Sequence, residues 1–276
     1  MSEHEHPSRT STPARGDDIV REAQATVPAP PAVRVRDVSK AFGHGDNAVV
    51  ALHHVTLDVT RGEFVCLVGA SGCGKSTLLN LVAGLEQPTA GTVDIGHARP
   101  ALLFQEAALF PWLTAGANVE LALRLRGVSK RDRQLRAQQL MELVRLGGFA
   151  DKRPHELSGG MRQRVAMARA LAQEADVLLM DEPFGALDAM TRDILHDELE
   201  RIWRDSGLTV LFVTHNAREA ARLGDRIVLL TSRPGKVAAE FAVDIERPRR
   251  IESAEVSTLA GRVTEALREE VRRHGR

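Results

Sequence analysis

Two periodicities alternate along the chain. Val33, Val35 and Val38, then Val55, Leu57 and Val59, follow the spacing of half-buried antiparallel strands. Phe64-Val65-Cys66-Leu67-Val68 is apolar at every position, as a strand buried on both faces would be. A Gly-rich turn follows, then helical spacing from Lys75 to about Ala83. Further apolar runs lie at Ala101 to Phe104, Asp176 to Met180, Thr209 to Val213 and Ile227 to Leu230, with helical segments between. This strand–helix alternation predicts an α/β chain with a mostly parallel sheet. The stretch from about 106 to 172 differs. It lacks strand runs and shows helical spacing over Glu120 to Arg126, Arg131 to Leu146 and Met161 to Gln173, so it predicts a helical insertion. Val256, Leu259, Val263, Leu267 and Val271 form the stripe of a closing amphipathic helix.

Composition adds limits. Residues 1–31 hold five of the twelve prolines (Pro7, Pro13, Pro28, Pro30, Pro31) among Ser, Thr and charges, and are expected to be a disordered tail. The 37 basic and 37 acidic residues cancel, which argues against a surface-wide nucleic-acid binder. Cys66 and Cys73 lie in one segment and cannot form a disulfide framework, so a reducing compartment is expected. No uncharged apolar run approaches the roughly 18–20 residues that span a bilayer, and the amino terminus does not read as a signal peptide. The expectation is a cytosolic protein, or one held at a membrane by another component.

Gly69-Ala70-Ser71-Gly72-Cys73-Gly74-Lys75-Ser76-Thr77 fits G-x-x-x-x-G-K-[ST] between a buried strand and a helix, the context that this phosphate-binding motif needs. Glycines let backbone N–H groups curl round phosphate oxygens, and the helix terminus adds partial positive charge. Lys75 is expected on the β/γ-phosphates of ATP and the Ser76 hydroxyl on Mg²⁺. The rival reading is an ordinary Gly-rich strand–helix turn. Cys73 reads as a tolerated small residue, since no orienting His is near in sequence. Asp181 and Glu182 end the run Val177 to Met180, at the strand end where ligands bind in parallel sheets. Asp181 is placed to hold Mg²⁺ and Glu182 to act as general base on an attacking water; two solvated acids are the alternative. His215, after Val210 to Val213, is placed for the γ-phosphate or the water, and Gln105 for Mg²⁺ or water. Each, taken singly, could be structural.

Leu157-Ser158-Gly159-Gly160 opens the helix before the Asp-Glu strand, a second anion-binding device that one nucleotide in one chain does not need. Here the sequence resembles the ATP-binding cassette family. The ordered set is Phe42, the phosphate loop, Gln105, the signature from Ser158 through Gln163, Asp181-Glu182, Ala186-Leu187-Asp188 and His215. The resemblance covers about residues 33 to 245. It implies a P-loop NTPase of RecA-like core, an antiparallel β-subdomain and an inserted helical subdomain at about 106–172, together making a nucleotide-binding domain over 32–245. A C-terminal extension, 246–276, follows.

It also implies roles. Phe42 would stack on adenine, Gln105 would sense Mg²⁺ and the membrane partner, and Ser158, Gly159, Gly160 and Gln163 would close over ATP held by a second copy. Asp188 would reach across that homodimer, and His215 would be a switch on the γ-phosphate. Stretches 104–114, 181–192, 233–235 and 243–249 look like nitrate, taurine and aliphatic-sulfonate importers, with sulfonate favoured. The implied partners are integral membrane permease subunits and, indirectly, a periplasmic or extracellular solute-binding protein, with no nucleic acid. The implied location is peripheral, on the cytoplasmic face of the cell membrane. The other functional class is a soluble ATPase of the same family in DNA repair or translation; the members of that class carry paired cassettes or long insertions, and neither is present here. The apolar stretch from Leu109 to Leu113 is the expected dock for the permease, although Phe110 and Trp112 could simply pack the helical subdomain. The basic residues Arg124, Arg126, Lys130, Arg131, Arg133 and Arg136 read as a solvated helix face. Three departures from the family stand out: a shortened stretch from Gly91 to Gln105, Phe42 in place of the commoner tyrosine, and Asn216 where Asp is common.

Overall fold

The computed structural model describes residues 1, 30–43, 45–185 and 187–274. The expected tail therefore lies almost wholly outside the described residues, as does Ala186. In chain order the strands and helices are β1 (Val33–Phe42), β2 (Val49–Val59), β3 (Phe64–Val68), α1 (Lys75–Val82), β4 (Ala90–Asp94), β5 (Pro100–Leu103), α2 (Ala115–Leu125), α3 (Lys130–Leu143), α4 (Gly159–Leu171), β6 (Val177–Asp181), α5 (Ala189–Ser206), β7 (Thr209–Val213), α6 (Ala217–Leu223), β8 (Arg226–Leu230), β9 (Val237–Ala242) and α7 (Ala254–His274).

The main sheet runs in the order β5-β6-β7-β3-β8-β9; the first five strands are parallel, and β9 pairs antiparallel with β8. Phe64, Cys66 and Val68 of β3 face one core and Val65 and Leu67 the other, which is why every position of this strand is apolar. The second core joins the sheet to Leu78 and Leu79 of α1 and to β1 and β2. The first core takes in α2 to α7. A separate antiparallel sheet, β2-β1-β4, has three strands among the described residues. Only 95–99 separate β4 from β5, so the shortened stretch after Gly91 leads directly into the main sheet.

Helix starts differ from the sequence expectation because caps, not apolar spacing, set them. Thr114 Oγ accepts the Ala117 N–H and starts α2 at Ala115 rather than near Glu120. Ser158 Oγ accepts the Met161 N–H and draws Gly159 and Gly160 into the first turn of α4. At the other end of α3, Arg145 adopts φ 58° and the helix stops at Leu143 instead of reaching Leu146. β4 and β9 were not visible as apolar runs; β4 is exposed at all but one position, β9 is half-exposed, and both lie at sheet edges.

Candidate active site

The phosphate loop joins β3 to α1. Gly74 caps α1 at φ 100°, and a Cβ there would fall 2.6 Å from Leu52 Cδ2, so only glycine fits. Lys75 is buried, and its Nζ donates to the carbonyls of Gly69 (2.8 Å) and Ala70 (3.0 Å) inside the loop. Cys73 is also buried, and burial pushes its thiol pKa up, which makes it a poor nucleophile. Ser71, Gly72, Ser76 and Thr77 line a cleft of about 350 Å³ that also receives Phe42, Gln105 and Glu182. Phe42 is 41% exposed at the end of β1, with the Lys40 ammonium 4.9 Å from its ring centroid, so it is a surface aromatic and not a core one.

Asp181 and Glu182 follow from β6 with different surroundings. Burial raises the Asp181 pKa, and the neighbouring Glu182 charge adds to this, while the Ser76 hydroxyl bond and Lys75 pull the other way. Ser76 and Asp181 are hard oxygen donors already hydrogen-bonded to one another, and a divalent cation would offset the charge of the half-buried carboxylate. They fit Mg²⁺, which takes few protein oxygens and completes its shell with phosphate and water. The raised pKa has a testable sign. Above the folded pKa the Asp181 charge costs stability, so Asp181→Asn should raise the thermal midpoint of the nucleotide-free chain at neutral pH. The gain should shrink as pH falls and the wild-type carboxyl takes up its proton. Thermal melts with and without Mg-ATP check this; the variant should also lose the Mg²⁺-dependent part of nucleotide stabilisation.

Glu182 adopts φ 45°, a left-handed conformation costly for a residue with a side chain, and its N–H is held by Val213 O at 3.0 Å. Its Oε2 lies 3.0 Å from His215 Nδ1. His215 stands at the end of β7, the strand paired with β6, so adjacent parallel strands deliver the pair. Asn216 follows. Its Oδ1 accepts from the N–H groups of Arg218 (3.0 Å) and Glu219 (3.4 Å) and caps α6. An aspartate would make the same bonds, which accounts for the asparagine there.

The remaining expected residues lie elsewhere. Ser158, Gly159, Gly160 and Asp188 do not line the phosphate-loop cleft. Ser158 and Gly159 are exposed, and a Cβ on Gly160 would meet Leu187 Cδ2 at 2.8 Å, so the α4 start packs on the segment before Asp188. Asp188 caps α5 through the Thr191 N–H, a bond that holds its pKa below the ordinary value. Gln163, grouped with the signature in the sequence, points inward in this chain. It is buried, and its Nε2 donates to Phe104 O at 3.2 Å, so its amide tethers the Gln105 segment instead of facing outward with the signature.

Arg233 was missed. It lines the cleft, and its Nε donates to Gly72 O at 3.3 Å from the turn between β8 and β9. Gly235, in the same turn, lies so close to the loop that a Cβ would be 2.1 Å from Cys73 O. An Arg-Pro-Gly turn was visible in the sequence, but only the pairing of β8 with β3 brings it over the phosphate loop. A second cleft, of about 600 Å³, opens next to the Gln105 segment between Leu85, Phe104, Phe110, Leu121, Leu125 and Arg169. Trp112, 69% exposed, contacts Phe110 of its lining, ring centroids 5.4 Å apart. The expected basic face carries ion pairs from Arg126 and Arg136 to Glu174 and from Arg133 to Glu120.

A glycine-rich loop closing on a helix terminus, with two acids and a histidine at neighbouring parallel strand ends, defines a P-loop nucleotide-hydrolysing core. The family described as ABC transporter matches residues 52–185. The taurine import ATP-binding protein TauB of Mesorhizobium japonicum is 48% identical, with 79% of this chain and 90% of that protein covered. The nitrate import ATP-binding protein NrtD of Synechocystis is 43% identical, covering 77% and 83%. The bicarbonate transport ATP-binding protein CmpC of Synechococcus elongatus is 48% identical over 79% of this chain, which spans 34% of that longer protein. A solved dimeric ATP-binding cassette in a post-hydrolysis state with ADP and Pi superposes with TM-score 0.71 at 35% identity, covering 78% of this chain and all of the other. The chain belongs to the ATP-binding cassette transporter family, and it is an ATPase. Among the described residues no helix is long and apolar enough to cross a membrane.

Proposed function

We propose that the chain is the ATP-hydrolysing subunit of an importer for a small oxyanion-type solute, with aliphatic sulfonate as the first candidate and taurine and nitrate next. It works as a homodimer at the cytoplasmic face of the membrane, docked on permease subunits that a solute-binding protein supplies. The observation that carries this reading is the exposed Phe110–Trp112 face beside a cleft next to Gln105, which offers an apolar dock adjoining the nucleotide pocket. Lys75, the loop amides and Arg233 bind the nucleotide phosphates, Phe42 stacks on the base, and Ser76, Asp181 and Gln105 hold Mg²⁺. When bound, the cation would offset negative charge on the nucleotide phosphates. Glu182 takes the proton of the attacking water, and His215 fixes the carboxylate that does so. Ser158, Gly159 and Gly160 close over the partner's nucleotide, and Asp188 crosses the dimer.

Relatives of near-equal identity carry three different printed solutes, so substrate is to be measured in cells. A deletion strain should lose growth on, or uptake of, one of alkanesulfonate, taurine, nitrate or bicarbonate. Wild-type complementation should restore it, and Trp112→Ala should not, while the isolated variant binds ATP as the wild type does. Equal losses of uptake and ATP binding would sink the docking assignment, and no transport defect on any of the four would sink the importer reading.

A further inference from the structure

Three polar groups behind the Glu182–His215 pair have no part in the chemistry described so far. His196, on α5, is fully buried, and its Nε2 lies 2.7 Å from Glu219 Oε1 on α6. Glu219 is 5% exposed, and its other oxygen accepts the Thr214 hydroxyl. Thr214 Oγ1 in turn accepts the Asn216 N–H at 3.0 Å. Thr214 and Asn216 flank His215. The His196 ring also meets Phe184 edge-on, 5.0 Å between centroids, two residues beyond Glu182. The chain of bonds therefore ends on both sides of His215, and the ring contact reaches the segment just after Glu182.

A polar cavity of about 40 Å³ lies between them, lined by Glu182, Arg192, Thr214, His215, Asn216 and Glu219. That volume exceeds the roughly 10–15 Å³ that one water needs, and the lining supplies several hydrogen-bond partners. Polar pairs in a core are often replaceable by apolar residues at no loss of stability, so their presence here calls for another reason. His196 Nδ1 has no hydrogen-bond partner, with the Asp193 carboxylate 3.9 Å away, so Nε2 alone connects the ring to the chain of bonds.

We propose that His196, Glu219 and Thr214 are positioning residues for hydrolysis. Together they tie α5, the helix capped by Asp188, to the His215 turn, and they fix the wall of the cavity that faces Glu182. The inference rests on Glu182 and His215 being the reacting pair. Because the three residues act through others, their loss should lower kcat and leave ATP recognition at the phosphate loop alone.

Steady-state ATPase of the purified full chain tests this. His196→Leu should lower kcat roughly 10- to 100-fold with KM for ATP within about twofold of wild type. His196→Gln, whose amide N–H still reaches Glu219, should recover most of the loss. Should His196→Leu fail to fold, Thr214→Val and Thr214→Ser make the same comparison, the first losing turnover and the second keeping it. Wild-type kcat in the apolar variants, equal losses in apolar and conservative variants, or a rise in KM matching the fall in kcat would each overturn the proposal. Glu182→Gln run alongside separates the two levels. Normal turnover in that variant removes the base assignment, whereas a dead Glu182→Gln beside an active His196→Leu removes only the positioning chain.

Discussion

Glu182→Gln is expected to lower ATP turnover of the full chain at least 100-fold while leaving ATP affinity within about threefold of wild type. The geometry makes the expected effect specific. Glutamine has the shape of glutamate and can keep the 3.0 Å contact with His215 Nδ1, but it cannot accept a proton from water. The backbone at Glu182 is held at φ 45° by the Val213 carbonyl whichever side chain it carries, so the substitution adds no new backbone strain. Nucleotide binding is assigned to the amides of the phosphate loop and to Lys75, which the substitution leaves untouched. With the base removed and ATP retained, the proposed head-to-tail dimer should accumulate, visible as a doubled mass in light scattering with ATP and a monomer mass without it. Turnover near the wild-type level would remove Glu182 from its assigned role.

The residues of this site differed in how far sequence reasoning could reach them. Gly69 to Thr77 were legible in full because their chemistry is local: strand, loop and helix terminus are contiguous, and the motif itself specifies them. Asp181, Glu182 and His215 were legible as ends of buried strands; their meeting required only that β6 and β7 be neighbours. Arg233 was not, because its closeness to Gly72 depends on strand order across the sheet. Ser158, Gly159 and Gly160 were placed by resemblance, and within one chain they stand away from the cleft. Gln163 has a contact that motif membership did not supply: its buried amide donates to Phe104 O, a residue 59 positions earlier in the chain. β4 and β9 escaped notice because an exposed or half-exposed edge strand has no continuous apolar run, and its partner strand is what makes it a strand.

The largest loss of stability is expected at a residue outside the nucleotide cleft. Arg249 is 5% exposed, and its guanidinium donates to five carbonyls: Nε to Ile245, Nη1 to Ala221, Arg222 and Gly224, and Nη2 to Val243. Two of these, Ala221 and Arg222, belong to the last turn of α6, where backbone oxygens have no helical partner and the helix dipole favours a cation. One side chain thus joins α6, the loop before β8 and the segment after β9, and Arg247 beside it pairs with Glu200 and Asp225 over the Trp203 ring. Arg249→Leu would leave those carbonyls buried without a donor, a cost of about 3 kcal/mol, or a fall in melting midpoint of roughly 6–12 °C. Lysine should recover only part, since one ammonium cannot reach acceptors spread around a planar fork. Burial pushes the Arg249 pKa down to about 10. The folded state therefore holds this proton less tightly than the unfolded chain, yet both are charged near neutrality. The loss in Arg249→Leu should accordingly stay flat from about pH 6 to 9, unlike the pH-dependent gain expected of Asp181→Asn. Arg250→Leu, one residue on and exposed, serves as the control and should change stability by no more than about 0.5 kcal/mol. Equal midpoints for Arg249→Leu and Arg250→Leu would show that the five carbonyl bonds hold nothing together.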